Sequence, residues 1–179
     1  RERYQTCFAS KPGAIAAPTA GLHFTPEILN SIRSRGIEIL EVTLHVGLGT
    51  FKPIEKEDIR EHNMHSEYFS ISSNNLCKLQ SFKKSRRPII CLGTTTVRVL
   101  ETIAQNNFEN NSGWTDLFIY PPYNFSMVQG LFTNFHLPKS TLLIMVSAFY
   151  GRKKLLEAYC AAVKEKYRFF SYGDCMLIL

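Results

Sequence analysis

Between Thr133 and Ser140 the chain gathers an amide (Asn134), an imidazole (His136), an ammonium (Lys139) and two hydroxyls (Thr133, Ser140). They stand directly before the most apolar run in the sequence, Thr141 to Phe149. Pro138 biases Leu137 toward extended geometry, so a strand or loop ends there, and Ser140 can cap the helix that follows. That helix is apolar nearly all round and reads as buried; it falls well short of the ~20 residues a bilayer requires. Polar groups at the N-terminus of a buried helix suit an anion or a polarised oxygen, because free amides and the helix dipole both favour negative charge there.

Other polar groups have two readings each. His23, between Leu22 and Phe24, is either a core histidine bonded to a carbonyl or a functional one. His62, His65 and Glu67 have metal-ligand spacing. No cysteine, further helix-spaced histidine or second carboxylate cluster joins them, so no metal is expected. Gly93-Thr94-Thr95-Thr96 opens a helix. Its hydroxyls and amides either cap that helix or hold a carboxylate or hydroxyl, with Arg98 one turn further on. Gly47-Leu48-Gly49 lacks the rest of a dinucleotide fingerprint and reads as a turn; no Walker loop or nucleophile elbow is present. The basic run Lys83 to Arg87 reads as a solvated helix end.

These groups must be held by regular elements. Ala14–Ala17 reads as a short buried strand, and Thr25-Pro26-Glu27 as a helix start. That helix ends before Gly36, with Arg33 and Arg35 at its negative end. Ile37–Val46 is rich in β-branched residues and predicts a strand; Tyr68–Ile71 predicts another. Asn74–Ser85 predicts a helix, Pro88–Leu92 a buried strand, and Val97–Ala104 a helix. Residues 105–114 read as a polar loop, Leu117–Tyr120 as a strand, Lys153–Tyr167 as a helix and Met176–Leu179 as a final strand. The alternation predicts an α/β fold, a largely parallel sheet flanked by helices. Sites in such sheets lie beyond the carboxyl ends of the strands. Pro18–Phe24, His45–Thr50, Gly93–Thr96 and Tyr120–Tyr123 all fall at such ends.

The length of 179 residues fits one domain, here residues 1–179. A hydrophobic content of 45% supplies a core and excludes a disordered chain. The net charge of +6 suits either plain solubility or attraction to a polyanion such as RNA. Five scattered cysteines with no Cys-x-x-Cys pair point to reduced thiols and a cytoplasmic location rather than a disulfide scaffold. No membrane segment is visible, and a monomer is expected. A start without methionine and an end inside an apparent strand lead us to expect a piece of a longer protein.

Several longer motifs carry a resemblance. Ala16–Phe24 (Ala-Ala-Pro-Thr-Ala-Gly-Leu-His-Phe), Val42–Gly47, Gly49–Phe51, Met64–Glu67, Gly93–Arg98, Thr133–Pro138 and Phe169–Asp174 run in order almost end to end. Together they resemble the S-adenosylmethionine:tRNA ribosyltransferase-isomerase family of queuosine biosynthesis. The resemblance implies transfer of the ribosyl group of S-adenosylmethionine to 7-aminomethyl-7-deazaguanine at the tRNA wobble position. Isomerisation to an epoxycyclopentane then gives epoxyqueuosine and releases adenine and methionine. Partners would be tRNA and S-adenosylmethionine, the latter as ribosyl donor, with no metal and no membrane. The family fold is an α/β domain with an inserted β-barrel, so this chain resembles the carboxyl-terminal part alone, an incomplete domain without the barrel. Acid–base candidates within the matching motifs are His23, His45, His65, Glu67 and His136. Substrate contacts are expected from Thr19, Phe24, Thr94, Thr95, Thr96, Arg98, Tyr120, Asn134, Phe135 and Asp174. Phe24 and Phe135 are candidates to stack on a base or face the sulfonium. Pro122 departs from the family, which has glycine there, so the loop after Tyr120 is expected to differ. The competing reading is a truncated, inactive remnant that keeps an RNA- or ligand-binding surface. An isolated chain lacking partner strands would expose a sheet edge and apolar area.

Overall fold

The computed structural model describes residues 4–47 and 53–179. The first long element is α1 (Pro26–Ser34), opened by Thr25, whose hydroxyl accepts the Ile28 amide, and closed before Gly36. Next come β1 (Val42–His45), β2 (Glu67–Ile71), α2 (Ser73–Lys84), β3 (Ile90–Leu92) and α3 (Thr94–Gln105). They are followed by β4 (Ser112–Thr115), β5 (Gly130–Asn134), α4 (Thr141–Tyr150), α5 (Arg152–Lys164) and β6 (Cys175–Ile178). Ser140 caps α4 as expected, its hydroxyl accepting the Leu143 amide at 3.2 Å; such a cap contributes about 1 kcal/mol.

The α/β character expected from the sequence is present, but the pairing is not largely parallel. The strands form two three-stranded sheets, β1-β2-β4 and β3-β5-β6. Among the described residues only β3 and β5 run parallel; β1–β2, β2–β4 and β5–β6 are antiparallel. The reason is visible in the connections. One helix between two strands returns the chain to the same end of a sheet and permits parallel pairing. Here α4 and α5 follow β5 in succession, and the second helix reverses the direction once more. β6 therefore enters from the opposite end.

Two expected strands do not form. Among the described residues Ala14–Ala17 makes one backbone hydrogen bond, from the Ile15 amide to the Val46 carbonyl at 3.0 Å, and the chain then enters a 3-10 turn at Thr19–His23. Leu117–Tyr120 joins no sheet among the described residues. The Leu117 amide donates to the Thr115 hydroxyl, and its carbonyl accepts from Arg98 Nε, so side chains take the place of a neighbouring strand. Conversely, the expected polar loop at 105–114 contributes β4, and only Val42–His45 of the predicted 37–46 strand is paired.

Helix α3 lies at the centre. Its sequence opens Thr-Thr-Thr-Val-Arg-Val, in which all but Arg98 are β-branched and lose rotamer freedom in a helix. Burial overrides that preference: Val97, Val99, Leu100 and Ile103 are all enclosed, each stabilising by roughly 1.5–3 kcal/mol. They pack with Phe69, Ile71, Leu131, Met145, Val146 and Ile178, joining both sheets and α4 in one hydrophobic core. Gly93, at φ 88°, makes the sharp turn from β3 into α3, a conformation glycine adopts without strain. Among the described residues, no helix is long and apolar enough to cross a membrane.

Candidate functional site

The turn at Gly93 places the N-terminus of α3 against the segment after β5 and the 3-10 turn at Thr19. Between them lies a small cleft of about 50 Å³, open to solvent. Its walls come from four distant stretches. They are Ala17–Ala20, Gly93–Thr95, Thr133 with Asn134 and His136, and Phe170 with Ser171. Val46 and Leu142 complete the lining. Of the strand-end stretches expected to converge, only Pro18–Ala20, Val46 and Gly93–Thr95 line it among the described residues, and Thr133, Asn134 and His136 of the Thr133–Ser140 run join them. Tyr120–Tyr123 does not line the cleft, and Leu48–Thr50 lies outside the described residues.

Asn134 is the best-placed polar group. Its Nδ2 donates to the carbonyls of Phe170 (3.2 Å) and Gly173 (3.4 Å) and lies 3.4 Å from His23 Nε2. Its Oδ1 is buried with no hydrogen-bond partner among the described residues. A buried acceptor left unmatched costs about 1–3 kcal/mol, so this oxygen suits a donor on a bound molecule, such as an amine or a hydroxyl.

His136 sits two residues on, nine-tenths buried, with Nε2 2.8 Å from the Thr133 hydroxyl. Its backbone amide donates to Tyr159 Oη at 2.9 Å, so the main chain is fixed independently of the imidazole. Burial pushes its pKa down to about 4, and the ring is neutral at pH 7. This has a measurable consequence. The unfolded chain binds a proton at this position near pH 6.5, the folded chain only near 4. Acid therefore favours unfolding between those values, and stability should fall by up to about 3 kcal/mol as pH drops through them, with no contribution above. Comparing unfolding free energies of wild type and His136→Gln across pH 4–7 isolates this term, and parallel pH profiles for the two proteins would contradict it.

The remaining candidates separate into groups. Thr19, Thr94 and Thr95 line the cleft, while Thr96 turns its hydroxyl back to the Leu92 carbonyl at 2.7 Å and serves the helix. His23 stands at the cleft edge through its contact with Asn134. Asp174 is held by Arg168: the side chains pair at 2.7 Å, the Arg168 amide donates to Oδ2 at 2.8 Å, and its pKa is lowered chiefly by these bonds and also by His23. Phe24 packs edge-on against Phe132, and Phe135 is buried among Tyr159, Tyr167 and Phe169. Phe135 thus belongs to an aromatic core rather than to an open stacking surface. Tyr120 packs on Phe118, His65 is solvent-exposed, and His45 projects from the outer face of β1 onto Tyr68.

Glu67 and Arg98 lie behind the cleft wall. Both are about 1% exposed, their side chains meet at 2.5 Å, and Glu67 Oε1 accepts the Gly47 amide at 2.8 Å. Arg98 also donates to the Leu117 and Thr115 carbonyls. The guanidinium is spent on these groups and does not reach the cleft.

Sequence reasoning missed three participants. Phe170 and Ser171 enter the cleft because Phe170 has φ 73° and Gly173 packs so tightly on Arg168 and Phe169 that a side chain there would clash with their backbone. The signal was the motif Phe169–Asp174 itself, from which only the aspartate was selected. Glu101 was also missed: it is buried and accepts the amides of Ser126 and Met127, both at 2.9 Å, tying residues 123–127 to α3. Among the described residues no group of three or more His, Cys, Asp or Glu is placed to hold a metal ion.

Known proteins share this sequence and fold. The chain is 56% identical over 179 residues to the S-adenosylmethionine:tRNA ribosyltransferase-isomerase of a Sulfurihydrogenibium species, covering 100% of this chain and 53% of that protein. It is 56% identical to the protein of the same name from Carboxydothermus hydrogenoformans, covering 99% of this chain and 53% of the relative. A crystal structure of S-adenosylmethionine tRNA ribosyltransferase from Thermotoga maritima superposes with a TM-score of 0.73 at 45% identity, covering 90% of this chain and 51% of that one. The chain thus spans about half the length of the curated relatives it matches. The family model described as queuosine biosynthesis protein matches residues 1–178, and the chain belongs to that family.

Proposed function

We propose that the protein carrying this chain moves the ribosyl group of S-adenosylmethionine onto 7-aminomethyl-7-deazaguanine at the wobble position of tRNA. It then isomerises that group to the epoxycyclopentane of epoxyqueuosine, working in the cytoplasm, with residues 1–179 acting as a single α/β unit. The observation that carries this reading is the gathering of motifs from 17–20, 93–95, 133–136 and 170–171 around one cleft, in a chain matched by the family over 1–178.

The cleft's groups fit the demands of that chemistry. A sulfonium acidifies the adjacent C5′ protons, and a neutral imidazole such as His136 can accept one and initiate loss of adenine. The unmatched Oδ1 of Asn134 can take a hydrogen bond from an amine or a ribose hydroxyl. The amides of Thr94 and Thr95, at the positive end of α3, favour a carboxylate such as that of the methionine moiety. His23 beside Asn134 is the second group positioned to exchange a proton.

The test uses the protein expressed from its whole reading frame. Incubated with S-adenosylmethionine, it should release adenine only when tRNA bearing the aminomethyl-deazaguanine base is present, and methionine in equal amount. Binding of that tRNA without adenine release would support the inactive-remnant reading instead.

A further inference from the structure

The outer face of the β1-β2-β4 sheet carries a row of rings. The register sets His45 opposite Tyr68, and Tyr68 opposite Trp114. Because side chains alternate faces along a strand, all three point away from Phe69 and the core. His45 stacks on Tyr68, with centroids 6.0 Å apart and planes 17° from parallel, and Trp114 meets Tyr68 edge-on at 5.5 Å. Trp114 is 67% exposed. The neighbouring row, Thr43, Ser70 and Ser112, adds three hydroxyls on the same face. None of these outward positions is aliphatic and none is a carboxylate. The acid of β2, Glu67, faces inward to Arg98.

The row also has a direction. It begins at His45, one residue before Val46 in the cleft wall, and leads away from the cleft across the sheet. Rings in a line with hydroxyls beside them match the way open sheets bind single-stranded nucleic acid, by stacking bases and bonding the sugar-phosphate backbone. The net charge of +6 favours the same class of partner. A protein partner would be better served by aliphatic side chains, which this face lacks.

We propose that this face is a stacking platform for unpaired RNA bases that flank the nucleotide delivered to the cleft. The inference rests on the proposed tRNA-modifying function and adds where the RNA lies and what grips it. In the complete protein, Trp114→Ala and Tyr68→Ala should each raise KM for tRNA about tenfold, the typical effect of losing one stacked base. KM for S-adenosylmethionine should hold, and Trp114→Phe should recover most of the tRNA affinity. The Trp114 emission, taken as wild type minus Trp114→Phe, should be open to acrylamide in the free protein. It should be quenched by an RNA hairpin with an unpaired loop more than by a blunt RNA duplex. An unchanged KM for tRNA in both alanine variants overturns the proposal, as does a Trp114 signal already shielded before RNA is added, which would mean another part of the polypeptide covers the face. Tenable tRNA-dependent adenine release by the wild type keeps either failure separate from failure of the functional reading.

Discussion

Replacing His136 by glutamine is expected to lower kcat of the complete protein about 10²- to 10⁴-fold while leaving the fold intact. The fold should survive for a local reason. The backbone amide of His136 is held by Tyr159 Oη whatever the side chain, and a glutamine amide can still bond the Thr133 hydroxyl. What glutamine cannot do is take and release a proton. The buried ring is neutral at pH 7, so it is available as an acceptor without first losing a proton of its own. Asn134→Ala provides the contrast. It removes the bonds to Phe170 and Gly173 and the free Oδ1, and should raise KM more than it lowers kcat. Steady-state kinetics of both variants distinguish the roles. Near-normal turnover by His136→Gln would shift the proton-handling role to His23, which shares the Asn134 contact.

Arg98→Met should destabilise the complete protein by about 3–5 kcal/mol, because it removes one partner of a buried ion pair. Arg98 is buried and held by three acceptors, the Leu117 and Thr115 carbonyls and the Glu67 carboxylate. The double variant Glu67→Gln/Arg98→Met removes both charges of the pair and should recover a large part of that loss. The pair also fastens Gly47 and the base of α3, so the cleft wall should loosen in the single variant. Urea midpoints of the single and double variants measure the coupling. A loss in Arg98→Met below about 1 kcal/mol, the level of an exposed pair, would show the charges to be solvated.

The same pair shows where sequence reading stops. Glu67 and Arg98 stand in motifs that resemble the family's, and a carboxylate and a guanidinium in such motifs are natural candidates for direct chemistry. Their partner across 31 positions is each other, and only the packing of β2 against α3 reveals it. Caps and helices were legible because their signals are local: Thr25, Ser140, Gly36 and Pro138 act within a few residues. Strand pairing was not. Direction in the β3-β5-β6 sheet depends on α4 and α5 counting as two reversals, and Leu117–Tyr120 is denied a ladder by Arg98 and Thr115. Phe135 looked like a stacking surface because periodicity cannot say that three other rings already enclose it. His136, Asn134 and the threonines at Thr94 and Thr95 were legible because polar residues at the ends of buried elements have few places to go but a cleft.

The central claim is that the ribosyl carbons of S-adenosylmethionine, and not its methyl group, pass to tRNA. The most direct measurement gives the complete protein S-adenosylmethionine labelled separately in the ribose and in the methyl, with tRNA bearing the aminomethyl-deazaguanine base. The ribose label should appear in the tRNA and the methyl label in free methionine. Methyl label in the tRNA, with the ribose label left on a released adenosyl product, would contradict the account.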